Sequence, residues 1–183
     1  MAQERKSWQI KDAAILSELV SLMGLSADEA ASLGALQGQA REAAPALLDM
    51  FYGRLFKHAN TAEYLEGVAM ERLHTMVAEW FADIFSGTYD QSYAMKRLNI
   101  GRVHVRIGLP VRYPLAMLDV IMPVGEDIAK KSAQPEHAVQ AFRKVLALDI
   151  AIFNQAYEDN QLAHLAELVG GERLARLLLS GQA

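Results

Sequence analysis

The chain has 183 residues, enough for one domain with a sizeable core, and 52% of them are apolar, which excludes a disordered chain. Zero cysteines exclude disulfides, zinc–thiolate sites and thiol nucleophiles, and a net charge of −4 with scattered Lys and Arg argues against nucleic acid or an anionic membrane as partner. No apolar run reaches the ~18–20 residues of a membrane span, and the N-terminus leads into no signal-peptide core, so a soluble, cytoplasmic protein is expected.

Nearly every segment carries helical periodicity and no alternating stretch makes a strand, so the predicted class is all-α. A first helix over 9–23 sets Ile15, Leu16, Leu19 and Leu22 at helical spacing, and Gly24 stops it. Ser26-Ala-Asp-Glu29 is a capping-box pattern that opens a second helix, continuing to about 43. Pro45 fits the first turn of a third, where its missing N–H costs nothing. That helix, "ALLDMFYGRLFKHA", presents Leu48, Phe51, Tyr52, Leu55 and Phe56. A short capped turn at Asn60-Thr61 leads to a helix over 68–85, with Leu73, Met76, Val77 and Trp80 on its apolar face and Gly87 at its close.

The next helix, over 90–107, ends at the corner Gly108-Leu-Pro110. Two long helices follow, over 111–131 and from 135 past 160. The second carries Phe142, Leu146, Ile150, Phe153 and Tyr157 on one stripe and Val145, Leu148 and Ile152 on another. A helix this broadly apolar is either central to the core or shared with a second subunit. Gly170-Gly171 breaks the chain before a terminal helix, "ERLARLLLS". With no internal repeat, the expected organisation is one domain over 25–160, an N-terminal helical extension over 1–24 and a C-terminal one over 161–183.

The stretch "IGRVHVRIGLPVRY" places a histidine among aliphatics. On a helix, Ile100, Val103, His104 and Ile107 fall at i, i+3, i+4 and i+7, so His104 points with the apolar face. One reading is a core histidine bonded to a backbone carbonyl. The other is axial ligation of haem iron, which needs a single neutral imidazole in apolar surroundings, one nitrogen on the metal and the other donating to a carbonyl on the preceding turn. No second metal ligand lies one turn either side. Glu71-Arg-Leu-His74 is a Glu-x-x-His pair of the kind di-iron bundles use twice, but the chain holds only this one, so His74 reads as a surface or flanking residue. His58, His137 and His164 read as solvated helix positions.

The His104 stretch resembles the proximal-helix signature of the globin-coupled sensor family, Ile-Gly-x-x-His-x-x-Ile-Gly-Leu followed by an aromatic. "FYGRLF" resembles that family's distal helix and "IFSGTYD" its link between the pocket helices, so the resemblance covers about 25–160. It implies a globin-like fold with an extra N-terminal helix, holding haem b. His104 matches the proximal iron ligand, and Tyr52 the distal tyrosine, whose phenol can donate a hydrogen bond to a bound diatomic ligand. Leu73, Met76 and Val77 would form an apolar distal ceiling that excludes water, with Phe51, Leu55 and Phe56 lining the same cavity.

The resemblance further implies a non-enzymatic sensor of oxygen or another diatomic gas such as CO or NO. The helices at 111–131 and 135–160 would pair across a two-fold axis as a homodimer bundle, signalling to an output domain such as a diguanylate cyclase, histidine kinase or chemotaxis transducer. The sequence departs from the family where a Trp-Tyr pair usually follows the corner. Here the run is Val111-Arg112-Tyr113-Pro114, and the resemblance implies that Tyr113 would replace part of that haem-edge contact. Two alternatives stay open: a haem-free globin-like interaction module, and a globin that oxidises nitric oxide or reacts with peroxide. The latter wants a polar distal base, for which only Tyr52, and more distantly His74, is available.

Overall fold

The computed structural model of the chain describes residues 5–11 and 14–181. Among them the order is α1 (Ala14–Met23), α2 (Ala27–Gly34), α3 (Gln37–Phe56), α4 (Ala59–Ala62), α5 (Met70–Ile84), α6 (Gln91–Arg106), α7 (Arg112–Ala116), α8 (Leu118–Ala129), α9 (Pro135–Val169) and α10 (Glu172–Leu179), with no strand. The class is all-α. No described helix is long and apolar enough to cross a membrane.

Local chemistry sets several helix ends. The Ser26 hydroxyl accepts from the Glu29 amide while the Glu29 carboxylate accepts from the Ser26 amide, so the capping box forms in full. Asp90 caps α6 by accepting from the Tyr93 N–H at 2.9 Å. Pro135 opens α9, and Gly170 closes it with φ 82°, a left-handed conformation that a side chain would strain.

Four boundaries differ from the pattern-based reading, the first being that the second helix ends at Gly34, not near 43, and a new one starts at Gln37. The first helix does not begin at Gln9: Lys6–Gln9 is a 3-10 turn, Ile10 is extended, and the predicted Asp12 and Ala13 lie outside the described residues. Pro45 does not start a helix but sits inside α3. Ala40, Ala44, Leu47 and Leu48 form one buried face running straight through it. Burial of that face holds the helix together, and water can take the Arg41 carbonyl that the proline leaves without a donor on the exposed side. The expected helix over 111–131 divides at Met117, whose N–H is shared between the carbonyls of Tyr113 and Pro114, a three-centre bond typical of a helix end.

α9 is the axis of the molecule. It packs against α1, α2, α5, α6, α8 and α10, and Phe142, Val145, Leu146, Leu148, Ile152 and Ala156 are buried within the chain's own core. Phe142 stacks on Phe85 at 5.4 Å. The broad apolar circumference of this helix is therefore explained by its central position, and it no longer argues for a second subunit. α6 crosses α9 closely at Gly101, where an added Cβ would stand 2.6 Å from the Phe153 carbonyl oxygen. α3 packs on α5 and α8 on the other side of the molecule.

Candidate functional site

His104 lies in the last turn of α6. Its Nδ1 stands 2.7 Å from the Ile100 carbonyl oxygen, one turn back, so the neutral ring donates from Nδ1 and leaves the Nε2 lone pair free. The Phe153 ring meets it edge-to-face at 5.3 Å. Burial lowers the His104 pKa, against which the bond to Ile100 works in the opposite sense. An apolar setting thus keeps this imidazole unprotonated, the form that can ligate a metal.

Tyr52 comes from α3 and is 5% exposed. Its ring touches Phe51 at 5.3 Å and His74 at 4.7 Å, and burial pushes its pKa up to about 12. The hydroxyl makes no hydrogen bond to the described residues, yet no fully buried side-chain N or O among them lacks a partner. It therefore opens onto accessible space as a neutral donor with nothing to donate to. His74, expected at the surface or flanking the site, is half-buried against the Tyr52 ring. Glu71 is exposed, and no cluster of three or more His, Asp or Glu among the described residues could hold a metal ion.

The remaining site residues divide. Leu73 and Val77 are half-buried on α5 while Met76 between them is 44% exposed, and Phe56 is 51% exposed at the end of α3. Val103 and Ile107, flanking His104, are exposed as well. Apolar side chains left open on the three helices that carry Tyr52, the ceiling residues and His104 are surface that water solvates poorly. Phe51 and Leu55 are half-buried and pack beside the main core. Tyr113 on α7 lies 6.5 Å from the Tyr64 ring, under the Arg112 guanidinium.

Two groups were not visible as site residues in the sequence. Tyr64 and Tyr157 donate to the carbonyls of Gly108 and Leu109, at 3.3 and 3.0 Å, and so hold the corner after His104. The second group is a buried cluster around Asp149, whose carboxylate accepts from Arg97, from the Tyr93 hydroxyl at 2.6 Å and from the Trp80 indole at 2.8 Å. Spacing gave a usable signal for Arg97 and Asp149: Arg97 is two helical turns before His104, and Asp149 one turn before Phe153, both charged residues on otherwise apolar stripes.

A free imidazole nitrogen, a free phenol and exposed apolar side chains on the same helices suit a flat, mostly apolar metallated ligand. The Protoglobin family model matches residues 12–163. The chain belongs to the Protoglobin family. This protoglobin is 27% identical over 185 residues to the heme-based aerotactic transducer HemAT of Halobacterium salinarum, a match that covers 92% of this chain and 38% of the transducer, so the chain spans well under half the length of that relative. Its fold matches the globin domain of a Geobacter sulfurreducens globin-coupled sensor with a TM-score of 0.71 at 28% identity, covering 77% of this chain and 96% of that one. The globin-like fold and the resemblance to globin-coupled sensors both hold.

Proposed function

We propose that this protoglobin is a haem-based sensor of a diatomic gas, with oxygen as its ligand and His104 as the residue that would hold the iron of haem b. The observation that carries the reading is the His104–Ile100 bond. It fixes the tautomer and turns a lone pair outward from a ring that burial keeps neutral. Haem, held through His104, would supply an iron that can take a small gas reversibly. The chain's own residues do the rest. Phe153 packs edge-on against the imidazole and limits its rotation. Leu73, Met76 and Val77 exclude water from the opposite side, and Phe51, Leu55, Phe56 and Tyr113 complete the lining. Tyr52 offers its phenol proton to a ligand that gains negative charge on binding.

In this reading 25–160 is the sensing unit and 1–24 and 161–183 are extensions. The gas signal passes through a homodimer to an output domain or partner, a reading supported by the similarity to an aerotactic transducer. The exposed part of α8, where Leu118 and Met122 reach solvent, is the surface that supports pairing.

Visible spectra of purified protein in reduced, oxygenated and CO-bound forms test the reading, with His104→Ala beside the wild type. The expected result is about one haem per chain in the wild type, and loss of tight haem in His104→Ala that added imidazole restores. A wild type that stays colourless, or an alanine variant with unchanged haem affinity and spectrum, overturns it. One observation favours a second reading: His74 beside Tyr52 puts an imidazole on the distal side, the type of base that peroxide chemistry uses. Peroxide turnover that vanishes in His74→Leu would support that reading.

A further inference from the structure

Asp149 is 3% exposed and Arg97 1% exposed, an ion pair fully inside the protein. The Asp149 carboxylate gathers donors from two other helices. Arg97 Nε and the Tyr93 hydroxyl, both on α6, reach Oδ1, while the Trp80 indole N–H, on α5, reaches Oδ2 at 2.8 Å. Arg97 also donates to the Trp80 carbonyl at 3.3 Å and pairs with Asp83 at 3.3 Å.

The positions of these residues matter. Arg97 is two turns before His104 on α6, Asp149 is one turn before Phe153 on α9, and Trp80 is one turn after Met76 and Val77 on α5. α6 packs mainly on α9, and α5 mainly on α3, so side-chain bonds at this end are what tie α5 to α6. A buried ion pair is poor evidence for stability, since apolar residues of equal volume often serve as well or better. What it adds over apolar packing is direction: fixed donors meeting a fixed acceptor.

We infer that Trp80 is a positioning residue for ligand binding: its indole bond holds α5, with Leu73, Met76 and Val77, to Asp149 on α9, the carboxylate that Arg97 and Tyr93 of the His104 helix also grip, and so sets how fast a gas leaves. The inference rests on the haem reading above. Trp80→Phe removes the indole donor and leaves the Arg97–Asp149 pair intact. Tyr93→Phe removes a donor to the same carboxylate from α6, and leaves the α5 tie intact.

In haem-free protein, Trp80→Phe is expected to raise amide exchange over 70–79 by about tenfold, the scale of one hydrogen bond to a charged acceptor. Tyr93→Phe should leave that segment near wild type. With haem bound, oxygen dissociation should change by about threefold or more in Trp80→Phe alone. A measurement on the unmutated protein covers the case of a variant that fails to fold: the chain has two tryptophans, Trp8 and Trp80, and the Trp80 indole N–H resonance should shift when CO binds while that of Trp8 stays put. Equal effects from both variants mean a merely structural role and overturn the inference. So does a Trp80 resonance unmoved by CO. A wild type that takes up no haem overturns the gas-sensor reading as well, which separates the two failures.

Discussion

His104 has one nitrogen committed to Ile100 and one free, and the second fact depends on the ring being neutral: the protonated ring would keep its bond to Ile100 and lose the lone pair. Burial lowers its folded pKa below the ordinary 6.5, so as pH falls the unfolded chain takes up the proton first. The stability contributed by this ring is complete above the unfolded value and is lost as pH drops through the lowered one. The thermal midpoint of haem-free protein should therefore fall from about pH 7 to about pH 5 more steeply in wild type than in His104→Leu, as calorimetry across that range will show. Tyr52 has the opposite character. With its pKa pushed up to about 12 it stays a donor at every pH the protein meets. Tyr52→Phe should retain haem and release oxygen about tenfold faster by stopped-flow, the loss of one hydrogen bond to a charged acceptor. An unchanged off-rate would leave the tyrosine only its packing against Phe51 and His74.

At the level of helices, the α6/α9 crossing is the sensitive joint. Gly101→Ala would place a Cβ 2.6 Å from the Phe153 carbonyl oxygen and 2.7 Å from the Ala156 Cβ, neither of which can yield without moving α9. The expected cost is about 1–3 kcal/mol in denaturant unfolding, with weaker haem retention because Phe153 abuts His104. Gly38→Ala, on an exposed stretch of α3 with nothing within 4 Å, should instead stabilise by about 0.5–1 kcal/mol. Most helices were legible from periodicity and caps: the Ser26 box, the Gly170 stop and the Asp90 start are local chemistry that the chain spells out. Pro45 was misleading for a tertiary reason, since a continuous buried face carried α3 through a residue that usually marks an end.

Across the whole molecule, the position of α9 changes what its apolar surface means. Its apolar stripe from Ala138 to Ala156 is buried in the chain's own core, and exposed Met122 on α8 is the position that tests pairing of two chains. Met122→Lys should lower the dimer fraction seen by sedimentation at micromolar concentration. If gas binding biases the interface, wild-type dissociation should differ between the ligand-free and CO-bound forms. A wild type that sediments as a monomer at every concentration would remove the dimer from the account.

The sequence alone determined the helical class, the stops and caps, the His104 stripe and the family it resembles, because each rests on neighbours within one or two turns. It also marked Tyr52, through the motif around it. Only the tertiary structure decided that Phe51 and Leu55, half-buried, pack beside the main core, that His74 lies against Tyr52, and that Trp80, Tyr93 and Arg97 converge on Asp149. Those contacts join residues 50 or more positions apart, or helices whose relative placement periodicity does not encode. A helical stripe shows which residues share a face; which stripe meets which is settled when α9 is buried and its neighbours close around it.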